Sequence, residues 1–399
     1  MQDLVIIGGG ISGASLAFHA ARGGARVTVL EAEAEAGGCL ATQRAADGFW
    51  YELGAHTCYN SYGAFLELLE GTGGLGGLLP RAKPVLRFLD QGRVLPGKNL
   101  GLLLSRFDKL ELLASIPRWF GGSPQGQTVR SYYSRFVGPR NYERVLGPML
   151  SAVPSQTADD FPADMLFKQR PRRKDVLRSF TLEGGLQTAV ERALSRPGVS
   201  LRTGAAALGV ARSGRGFSVE LAGGERVEAA KLALAVPPGA AARLLAGVAP
   251  ELAARVSRLR ETQVDTLGFA VRTERVRVPT ATFLIPLADS FHSIVTRDVV
   301  PHEQWRGFAV HFRPGLAREA RVQRACEVLG LEASDLAAVR DRRTRLPSPV
   351  QGHAEIVGEI DRLLAREPLA LTGNWFAGLA IEDCVLRSRA EWERLSRQG

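Results

Sequence analysis

The pattern of apolar and polar positions is clearest at the amino terminus. Residues 3–7 (DLVII) form a short apolar run, typical of a strand buried in a parallel sheet. A glycine-rich turn follows, then a helical pattern through residues 15–19, and then a second apolar run at residues 26–30. This order predicts a strand–turn–helix–strand unit, so we expect an α/β fold.

Further along, the pattern changes several times. Residues 87–97 (RFLDQGRVLPG) predict a strand, a turn and a strand, and residues 99–122 carry apolar positions at helical spacing. Residues 199–238 predict three short strands separated by turn glycines. The carboxyl end predicts a strand at residues 369–371 and a helix from about Leu379. The glycines at residues 71–77 predict a helix stop and a turn; no strand precedes them and no Lys-Ser/Thr follows, which excludes a P-loop.

Length and charge narrow the picture. A chain of 399 residues suits two or three domains, and its 45% hydrophobic content is ordinary for a globular protein. The net charge of +10 favours an anionic ligand, a membrane surface or nucleic acid. The densest basic run, residues 168–178, has no nucleic-acid-binding motif beside it. We therefore interpret it as a solvated loop and expect no nucleic-acid partner.

The cysteines and the apolar runs exclude other classes. The four cysteines are scattered and form no C-x-x-C pair, which argues against a disulfide scaffold and a zinc site. The six histidines lack metal-binding spacing, so no metal is expected. No secretory leader is recognisable, and no apolar run reaches the ~18 residues that a spanning helix needs. We expect a cytoplasmic protein, with peripheral contact to the inner face of the membrane left open.

The turn after the first strand carries the strongest chemical signal. It reads Gly8-x-Gly10-x-x-Gly13, and Glu31 ends the second strand. Glycines here allow a tight turn, close approach of a diphosphate and close helix–strand packing, while the helix N-terminus attracts phosphate. Glu31 is placed to accept hydrogen bonds from ribose hydroxyls. The motif therefore predicts a dinucleotide site, in which Ile11, Ser12 and Ala32 also take part.

A glycine pair, Gly37-Gly38, follows the acid, and residues 53–57 (LGAHT) form a turn. With these motifs the chain resembles flavoproteins that have a glutathione-reductase-like FAD domain, and more narrowly their amine oxidase and protoporphyrinogen oxidase branch. The resemblance implies FAD as cofactor, with the glycine pair near its phosphates and the turn near the isoalloxazine. It also implies cofactor contacts at the following residues of these segments: Leu40, Gly54, Ala55 and His56.

The carboxyl end, residues 369–384 (LALTGNWFAGLAIEDC), resembles the segment with which these flavoproteins return to the cofactor. The resemblance implies that Gly373 and Asn374 lie near the phosphate and ribityl chain. It also implies that the helix after Ala380-Ile381 directs its amides at the flavin. Ala207 belongs to a strand that covers the adenine in similar proteins. Trp375 and Phe376 are expected to line the flavin or the substrate pocket.

The same resemblance divides the chain. It implies an FAD-binding domain at residues 1–57, 181–240 and 346–399, and a mixed-sheet substrate domain at residues 58–95, 151–180 and 241–345. Residues 96–150 form the third part, a small helical subdomain. That helical part is expected either to have its own core or to lie on a membrane, with Arg106, Lys109 and Arg118 beside the apolar residues 102–104.

The substrate is harder to infer. No lysine occurs after Lys231 and no tyrosine after Tyr142, whereas similar amine oxidases take a flavin-side lysine and an aromatic cage from their later segments. This absence favours a porphyrinogen over an amine. Arg87 and Arg170 are the expected cations for a porphyrinogen carboxylate. The chain departs from the pattern of similar proteins in two ways: it is short for the family, and Cys39 replaces the usual basic residue after the glycine pair. These departures bear on the identity of the substrate more than on that of the cofactor.

The sequence thus predicts an FAD-dependent oxidase that converts a porphyrinogen, protoporphyrinogen or coproporphyrinogen, to the porphyrin. Dioxygen or a quinone is the expected acceptor, and a homodimer is left open. The flavin itself takes the hydride, so no catalytic side chain is assigned, and His56 is the one candidate. An amine-oxidase or carotenoid-desaturase type of flavoenzyme and a silent FAD-binding protein are the alternatives. His353 is expected only to cap a helix or stabilise a loop.

Overall fold

The computed structural model describes residues 2–45 and 47–398. The strands are β1 (Gln2–Ile7), β2 (Val27–Leu30), β3 (Thr42–Arg44), β4 (Trp50–Glu52), β5 (Cys58–Tyr59), β6 (Leu78–Pro80), β7 (Leu86–Asp90), β8 (Arg93–Val94), β9 (Ser179–Leu182), β10 (Val199–Arg202), β11 (Ala207–Ser213), β12 (Gly216–Leu221), β13 (Arg226–Leu234), β14 (Glu261–Arg272), β15 (Phe283–Pro286), β16 (Phe291–Thr296), β17 (Trp305–Phe312), β18 (Ala337–Pro347) and β19 (Leu369–Leu371). The helices are α1 (Ile11–Arg22), α2 (Gly63–Gly71), α3 (Asn99–Arg106), α4 (Lys109–Ser115), α5 (Val129–Val137), α6 (Pro139–Asn141), α7 (Gly147–Ala152), α8 (Ala163–Leu166), α9 (Gln187–Leu194), α10 (Pro238–Leu245), α11 (Pro250–Val256), α12 (Arg318–Leu329), α13 (His353–Leu364) and α14 (Ile381–Ser396).

The first sheet has seven strands and a parallel centre. Its order is β10-β2-β1-β13-β12-β11, and β19 pairs with the end of β13. Strands β10, β2, β1, β13 and β19 are parallel, whereas β11, β12 and β13 form an antiparallel meander. Helices α1, α9 and α14 pack on one face, and α10, α11 and α13 pack on the other. The predicted α/β fold class is confirmed.

The second sheet also has seven strands, in the order β18-β14-β17-β16-β15-β7-β8. Along β14 the side chains alternate between two faces. On the outer face, Leu267 and Phe269 pack in one core with α12. On the inner face, Gly268 and Gly307 leave room for Tyr51 of β4, since a Cβ at either glycine would lie 2.6 Å from that side chain. The inner face therefore contacts the β3–β4 hairpin.

Residues 99–152, which we call the helical segment, pack against the same sheet. Leu102 and Phe107 are buried in one core with Phe88 of β7 and Ile285 of β15, and these two strand residues lie on the inner face of the sheet. A separate small core joins α5 and α7 to residues 158–163. Residues 99–118 and 129–152 are thus mainly helical, and the spacing of apolar residues predicted helices for the first of these stretches.

The strands of the two sheets come from interleaved segments. The first sheet uses residues 2–30, 199–234 and 369–371, and the second uses residues 86–94 and 261–347. The predicted boundary at residues 345/346 falls inside β18. The exact domain limits stay a prediction.

One sequence expectation was wrong in its count of strands. Residues 199–238, expected to form three strands, form four, because the first one is divided into β10 at one edge of the first sheet and β11 at the other edge. Between them Gly204 adopts φ +64°, and its N–H donates to Glu33 O over 2.8 Å. A left-handed residue that bonds to another segment ends the strand, because it removes the extended geometry that pairing requires. Similarly, α14 begins at Ile381, two residues after the expected start.

Candidate cofactor-binding site

The turn after β1 requires its glycines for steric reasons. Gly8 adopts φ +109°, and a Cβ there would lie 2.4 Å from Ala235 O. A Cβ at Gly13 would lie 1.9 Å from Gly8 O. The motif therefore lets α1 approach the end of β1 more closely than any side chain would allow.

The N-terminus of α1 suits an anionic group. Gly10 caps the helix without any side-chain hydrogen bond, and the first turn contains no acidic residue. The side chains of Ile11 and Ser12 are buried, so these residues offer their backbone amides. Uncapped amides and the helix dipole together attract a phosphate group. The residues present fit the diphosphate of a dinucleotide.

Glu31 lies at the end of β2, beside this turn. Its Oε2 accepts a hydrogen bond from Gly9 N over 2.7 Å, and its Oε1 accepts one from Glu33 N over 2.9 Å. Its carbonyl accepts from Ala205 N over 2.8 Å, two residues before Ala207 begins β11. The structure therefore brings the predicted ribose acid and the predicted adenine strand together. Ala32 follows Glu31 in the same loop.

The second glycine pair packs directly on the first turn. Gly37 N donates to Gly9 O over 3.0 Å, and a Cβ on Gly38 would lie 2.9 Å from the Cα of Gly10. This contact brings two glycine backbones to one place. Leu40 is different: its side chain is completely buried in the core beneath α1, so it has no side-chain surface for a ligand. The cofactor contact expected at Leu40 stays a prediction, and the buried side chain is not the group that would make it.

The turn at Gly54, Ala55 and His56 lies beside Cys39. Ala55 N donates to Cys39 O over 2.9 Å, and a Cβ on Gly54 would lie 2.4 Å from the same oxygen. Nδ1 of His56 lies 3.1 Å from Gly54 O, and its ring meets Phe283 edge-on at 5.3 Å. Burial lowers the pKa of His56 to about 3, so the imidazole is neutral at physiological pH.

A small cavity of about 20 Å³ lies behind His56, with Glu52, Thr181 and Arg297 in its wall. It has room for one water molecule. Burial raises the pKa of Glu52 to about 7, and burial lowers the pKa of Arg297 to about 10. The hydroxyl of Thr181 and Nε of Arg297 have no hydrogen-bond partner among the residues that the structure describes. These polar groups suit a single bridging water.

The carboxyl-terminal segment meets the amino-terminal site at Cys39. Nδ2 of Asn374 lies 3.9 Å from Cys39 Sγ. Ala380 caps α14 without a side-chain hydrogen bond, and the side chain of Ile381 is buried in the core. Gly373 stays a predicted neighbour of the cofactor, and a Cβ there would lie 2.5 Å from Nε1 of Trp375. It makes room for a protein side chain.

Trp375 and Phe376 are corrected by the structure. They are 1% and 4% exposed, stack on each other at 3.9 Å, and pack in the core beside α13. Nε1 of Trp375 donates to Val236 O over 3.1 Å, and its carbonyl lies 2.7 Å from Nε2 of His353. Neither ring leaves a surface for a flavin or a substrate. His353 stabilises this segment, in agreement with its expected structural role.

Arg87 is also corrected. It is paired with Leu284, whose side chain belongs to the outer-face core, so Arg87 points away from the β3–β4 hairpin. Its guanidinium donates to the carbonyls of Thr280 and Gly97 at 3.2 and 3.3 Å. Neighbouring Phe88 points to the inner face. A shift of one residue along a strand exchanges the faces, which is why the sequence alone misplaced this cation.

Arg170 lies in the loop before β9, and its side chain contacts the first turn of α14. Its Nη2 donates to Asp383 Oδ1 over 2.8 Å, and Lys168 contacts the same carboxylate at 3.3 Å as well as the carbonyl of Ala377. The sequence argument against a late lysine missed Lys168, because the fold brings it from an earlier segment to the carboxyl-terminal one. The two cations are paired with an acid here.

Other features of the structure were not predicted. A cavity of about 280 Å³ lies between the helical segment and the second sheet, and Tyr142, His292 and Arg313 are among its lining residues. None of the predicted site residues lines it. Within residues 2–45 and 47–398, no group of three His, Cys, Asp or Glu side chains is arranged to hold a metal ion. Over the same residues, no helix is both long and apolar enough to cross a membrane.

Comparisons with known proteins agree with this geometry. A family model described as "NAD(P)-binding Rossmann-like domain" matches residues 6–72, which include the glycine turn, α1 and β2. A 15-cis-phytoene desaturase of chloroplasts and chromoplasts from Glycine max is 33% identical over 113 residues. That match covers 28% of this chain and 18% of the desaturase.

Solved structures match over the full length. A chain provisionally assigned as a protoporphyrinogen oxidase, from Exiguobacterium sp. 255-15, has a TM-score of 0.79 at 20% identity and covers 100% of this chain and 99% of its own. A reduced UDP-galactopyranose mutase has a TM-score of 0.75 at 15% identity, covering 100% and 96%. A putrescine oxidase with putrescine bound has a TM-score of 0.68 at 15% identity, covering 99% of each chain. The protein therefore has the glutathione-reductase-like fold of FAD-binding oxidoreductases.

Proposed function

We propose that the protein is an FAD-dependent oxidase that removes hydrides from a porphyrinogen, either protoporphyrinogen or coproporphyrinogen, in tetrapyrrole biosynthesis. The observation that carries the proposal is the full-length fold likeness to the Exiguobacterium chain, with a TM-score of 0.79. Dioxygen is the proposed acceptor, and a quinone is the alternative. When bound, FAD would accept a hydride from a substrate carbon.

The chain's own residues fit this cofactor segment by segment. The amides at the start of α1 would bind the diphosphate, and Glu31 would bind the ribose of the adenosine. The loop between β10 and β11 passes Glu31 and would cover the adenine. The turn at Gly54–His56 and the segment at Asn374–Ile381 meet at Cys39 and would hold the flavin end. The cofactor would then lie between the first sheet and the inner face of the second.

His56 would keep the flavin end dry and oriented. With a pKa of about 3 it carries no charge near neutral pH, so it does not act as an acid or a base there. Its contact with Phe283 connects the turn to the inner face of the second sheet. We therefore propose a positioning role for His56.

Amine oxidation and desaturation are the competing reactions. The likeness to a putrescine oxidase structure favours the first, and the short match to a phytoene desaturase favours the second. Against amines stands the environment of Lys168, whose ammonium group contacts Asp383 and a backbone carbonyl. It is not free to act beside a flavin. The buried Trp375 and Phe376 likewise could not supply an aromatic cage for an amine.

A substrate comparison tests the proposal. Under anaerobic conditions, protoporphyrinogen or coproporphyrinogen should bleach the flavin absorbance near ~450 nm and yield a fluorescent porphyrin. Admission of air should restore the absorbance and produce hydrogen peroxide. Putrescine and phytoene, as matched substrates of the competing classes, should leave the flavin oxidised.

The same assay separates the alternatives. Bleaching by putrescine or phytoene and not by either porphyrinogen would overturn the substrate assignment and keep the flavoenzyme. A protein that is photoreduced and reoxidised in air, yet is bleached by none of the substrates, would be a silent FAD-binding protein.

The surface of the helical segment supports a further proposal, peripheral binding to a membrane. Several large apolar side chains are exposed here, which we call the apolar patch: Leu104 (48%), Leu110 (79%), Leu113 (60%), Ile116 (38%), Trp119 (45%) and Phe120 (83%). Exposed Arg106, Lys109 and Arg118 flank them. Leu102, expected in the same surface, is instead buried in the core. Clustered apolar and basic side chains suit an anionic membrane surface.

A further inference from the structure

The glycine pair of this chain lacks an adjacent basic side chain, because Cys39 follows Gly38. In the folded protein, however, a cation reaches the same place from the second sheet. Nη1 of Arg342, on β18, donates to Gly38 O over 2.7 Å. Arg342 is separated from Gly38 by 304 positions in the sequence, so no local motif reveals the contact.

Arg342 points inward, toward the cofactor side. It pairs across the sheet with Thr266, whose hydroxyl lies 3.0 Å from Nδ1 of buried His311. Its neighbours Asp341 and Arg343 lie on the other face, where they pair with Arg321 and Asp265. The alternation of the strand therefore directs Arg342 toward the first sheet.

The charge of Arg342 lacks an acidic partner in the part of the chain that the structure describes. Its hydrogen bond goes to the neutral carbonyl of Gly38, and it forms no ion pair with any of residues 2–45 and 47–398. The guanidinium has five N–H donors, so most of them are available for a ligand. A half-buried arginine without a carboxylate is expected to have an anionic partner.

The anion is identified by the groups that lie beside Gly38. Gly10, which caps α1, is in contact with Gly38, and Gly37 is bridged to Gly10. The guanidinium and the uncapped amides of α1 therefore approach one location from two sides. Both attract phosphate, and arginine binds phosphate oxygens through paired hydrogen bonds.

We propose that Arg342 binds the diphosphate of FAD across the domain interface and replaces the basic side chain that is missing at Cys39. The inference rests on the FAD binding that is part of the proposed function. In this arrangement the second sheet supplies a ligand of the cofactor, so bound FAD would contact residues of both sheets.

Binding measurements on the cofactor-free protein test this assignment without any substrate. Arg342→Ala should raise the Kd for FAD by about 10- to 100-fold, in line with loss of a charge-assisted hydrogen bond. The Kd for ADP, which carries the diphosphate without the flavin, should rise similarly. The Kd for riboflavin, which carries no phosphate, should not change. The dependence of FAD binding on salt should also weaken.

Matched variants control for charge and folding. Arg345→Ala removes a cation from the same strand, where its side chain is 67% exposed, and should leave all three Kd values unchanged. Arg342→Lys should recover part of the affinity for FAD. Cys39→Arg in the Arg342→Ala background should recover it as well, because it restores a cation beside the glycine pair from the first sheet.

Three outcomes would count against Arg342 as a diphosphate ligand. An unchanged Kd for FAD in Arg342→Ala, or a loss confined to riboflavin, would overturn the assignment. Equal losses for FAD, ADP and riboflavin would do the same, since they would indicate general damage. If Arg342→Ala does not fold, Arg342→Gln, which removes the charge but keeps a long polar side chain, is compared with the wild type instead, and the same rise in the Kd values for FAD and ADP is expected. Failure of the wild-type protein to bind FAD would instead refute the proposed cofactor itself.

Discussion

Among single residues, Glu52 shows how burial determines the protonation of a side chain. The side chain is 9% exposed, and its carboxylate accepts hydrogen bonds from Thr42 Oγ1 over 2.7 Å and Leu186 N over 2.8 Å. Burial nevertheless raises its pKa from 4.5 to about 7, because desolvation outweighs these hydrogen bonds. The carboxyl group therefore holds its proton more tightly in the folded protein than in the unfolded chain.

This shift predicts a pH dependence of stability. A group with a raised folded-state pKa stabilises the protein below its unfolded pKa of 4.5, and that contribution is lost as the pH rises through about 7. Relative to Glu52→Gln, which does not titrate, the free energy of unfolding of the wild type should fall by about 3 kcal/mol between pH 4.5 and 8. Urea unfolding of both proteins across this range measures the difference.

The contributions of other titrating groups, such as His56, cancel in this comparison, because both proteins contain them. A wild-type-minus-variant difference that is constant from pH 4.5 to 8 would contradict the raised pKa of Glu52. A wild type that instead becomes more stable than Glu52→Gln as the pH rises would show that the carboxylate is stabilised by its neighbours.

Single residues also show what the sequence could reveal. Gly13 was assigned correctly, because its role depends on the turn just before it. For Gly373 the sequence did not reveal that the glycine makes room for the side chain of Trp375. Arg342 was missed because its partner, Gly38, lies 304 positions away in the sequence, in the loop after β2. Roles that depend on neighbours in the chain were predictable, and roles that depend on tertiary contacts were not.

Among the elements, α2 and α14 are joined by an unusual cap. Tyr62 precedes α2 and gives it no side-chain cap. Instead Glu382, from the first turn of α14, accepts hydrogen bonds from Ala64 N over 2.9 Å and Phe65 N over 3.0 Å. The side chain of Glu382 is 4% exposed, and burial raises its pKa. One helix therefore satisfies the free amides of another.

Removal of this cap should be costly. Glu382→Ala leaves two buried N–H groups without a partner, which should lower the free energy of unfolding by about 2–4 kcal/mol. Glu67→Ala is the matched control: Glu67 lies on α2 and pairs with Arg389 of α14, but its side chain is 60% exposed. That change should cost less than ~1 kcal/mol. Urea unfolding at one pH compares the two, and equal losses would refute the capping role.

The order of the elements was more predictable than their pairing. The strand–turn–helix start of the chain was found because β1, α1 and β2 follow one another and each has a clear period. The break between β10 and β11 was missed, because Gly204 is held by Glu33 from a distant loop. The face on which Arg87 lies depends on its pairing with β15, which a single sequence does not record.

In the complete fold, the apolar patch lies on the surface of the helical segment, outside both sheets. Its exposed side chains belong to α3, α4 and the residues after them, while Leu102 and Phe107 attach the same segment to the second sheet. The segment therefore has a buried side that fixes it to the molecule and an exposed side rich in leucine and aromatic residues. Such a surface is suited to insertion at a membrane interface.

Vesicle binding tests this surface. The wild-type protein should sediment with vesicles that contain an anionic lipid and be partly released by salt, since each basic residue near the surface contributes about 1 kcal/mol. Leu110→Ser, at a side chain that is 79% exposed, should weaken binding about tenfold or more, because a buried leucine contributes ~1.5–3 kcal/mol. Leu208→Ser, on β11 at 66% exposure, is the matched control and should bind like the wild type. Wild-type protein that stays in the supernatant at low salt, or equal weakening by the two substitutions, would refute membrane binding by the apolar patch.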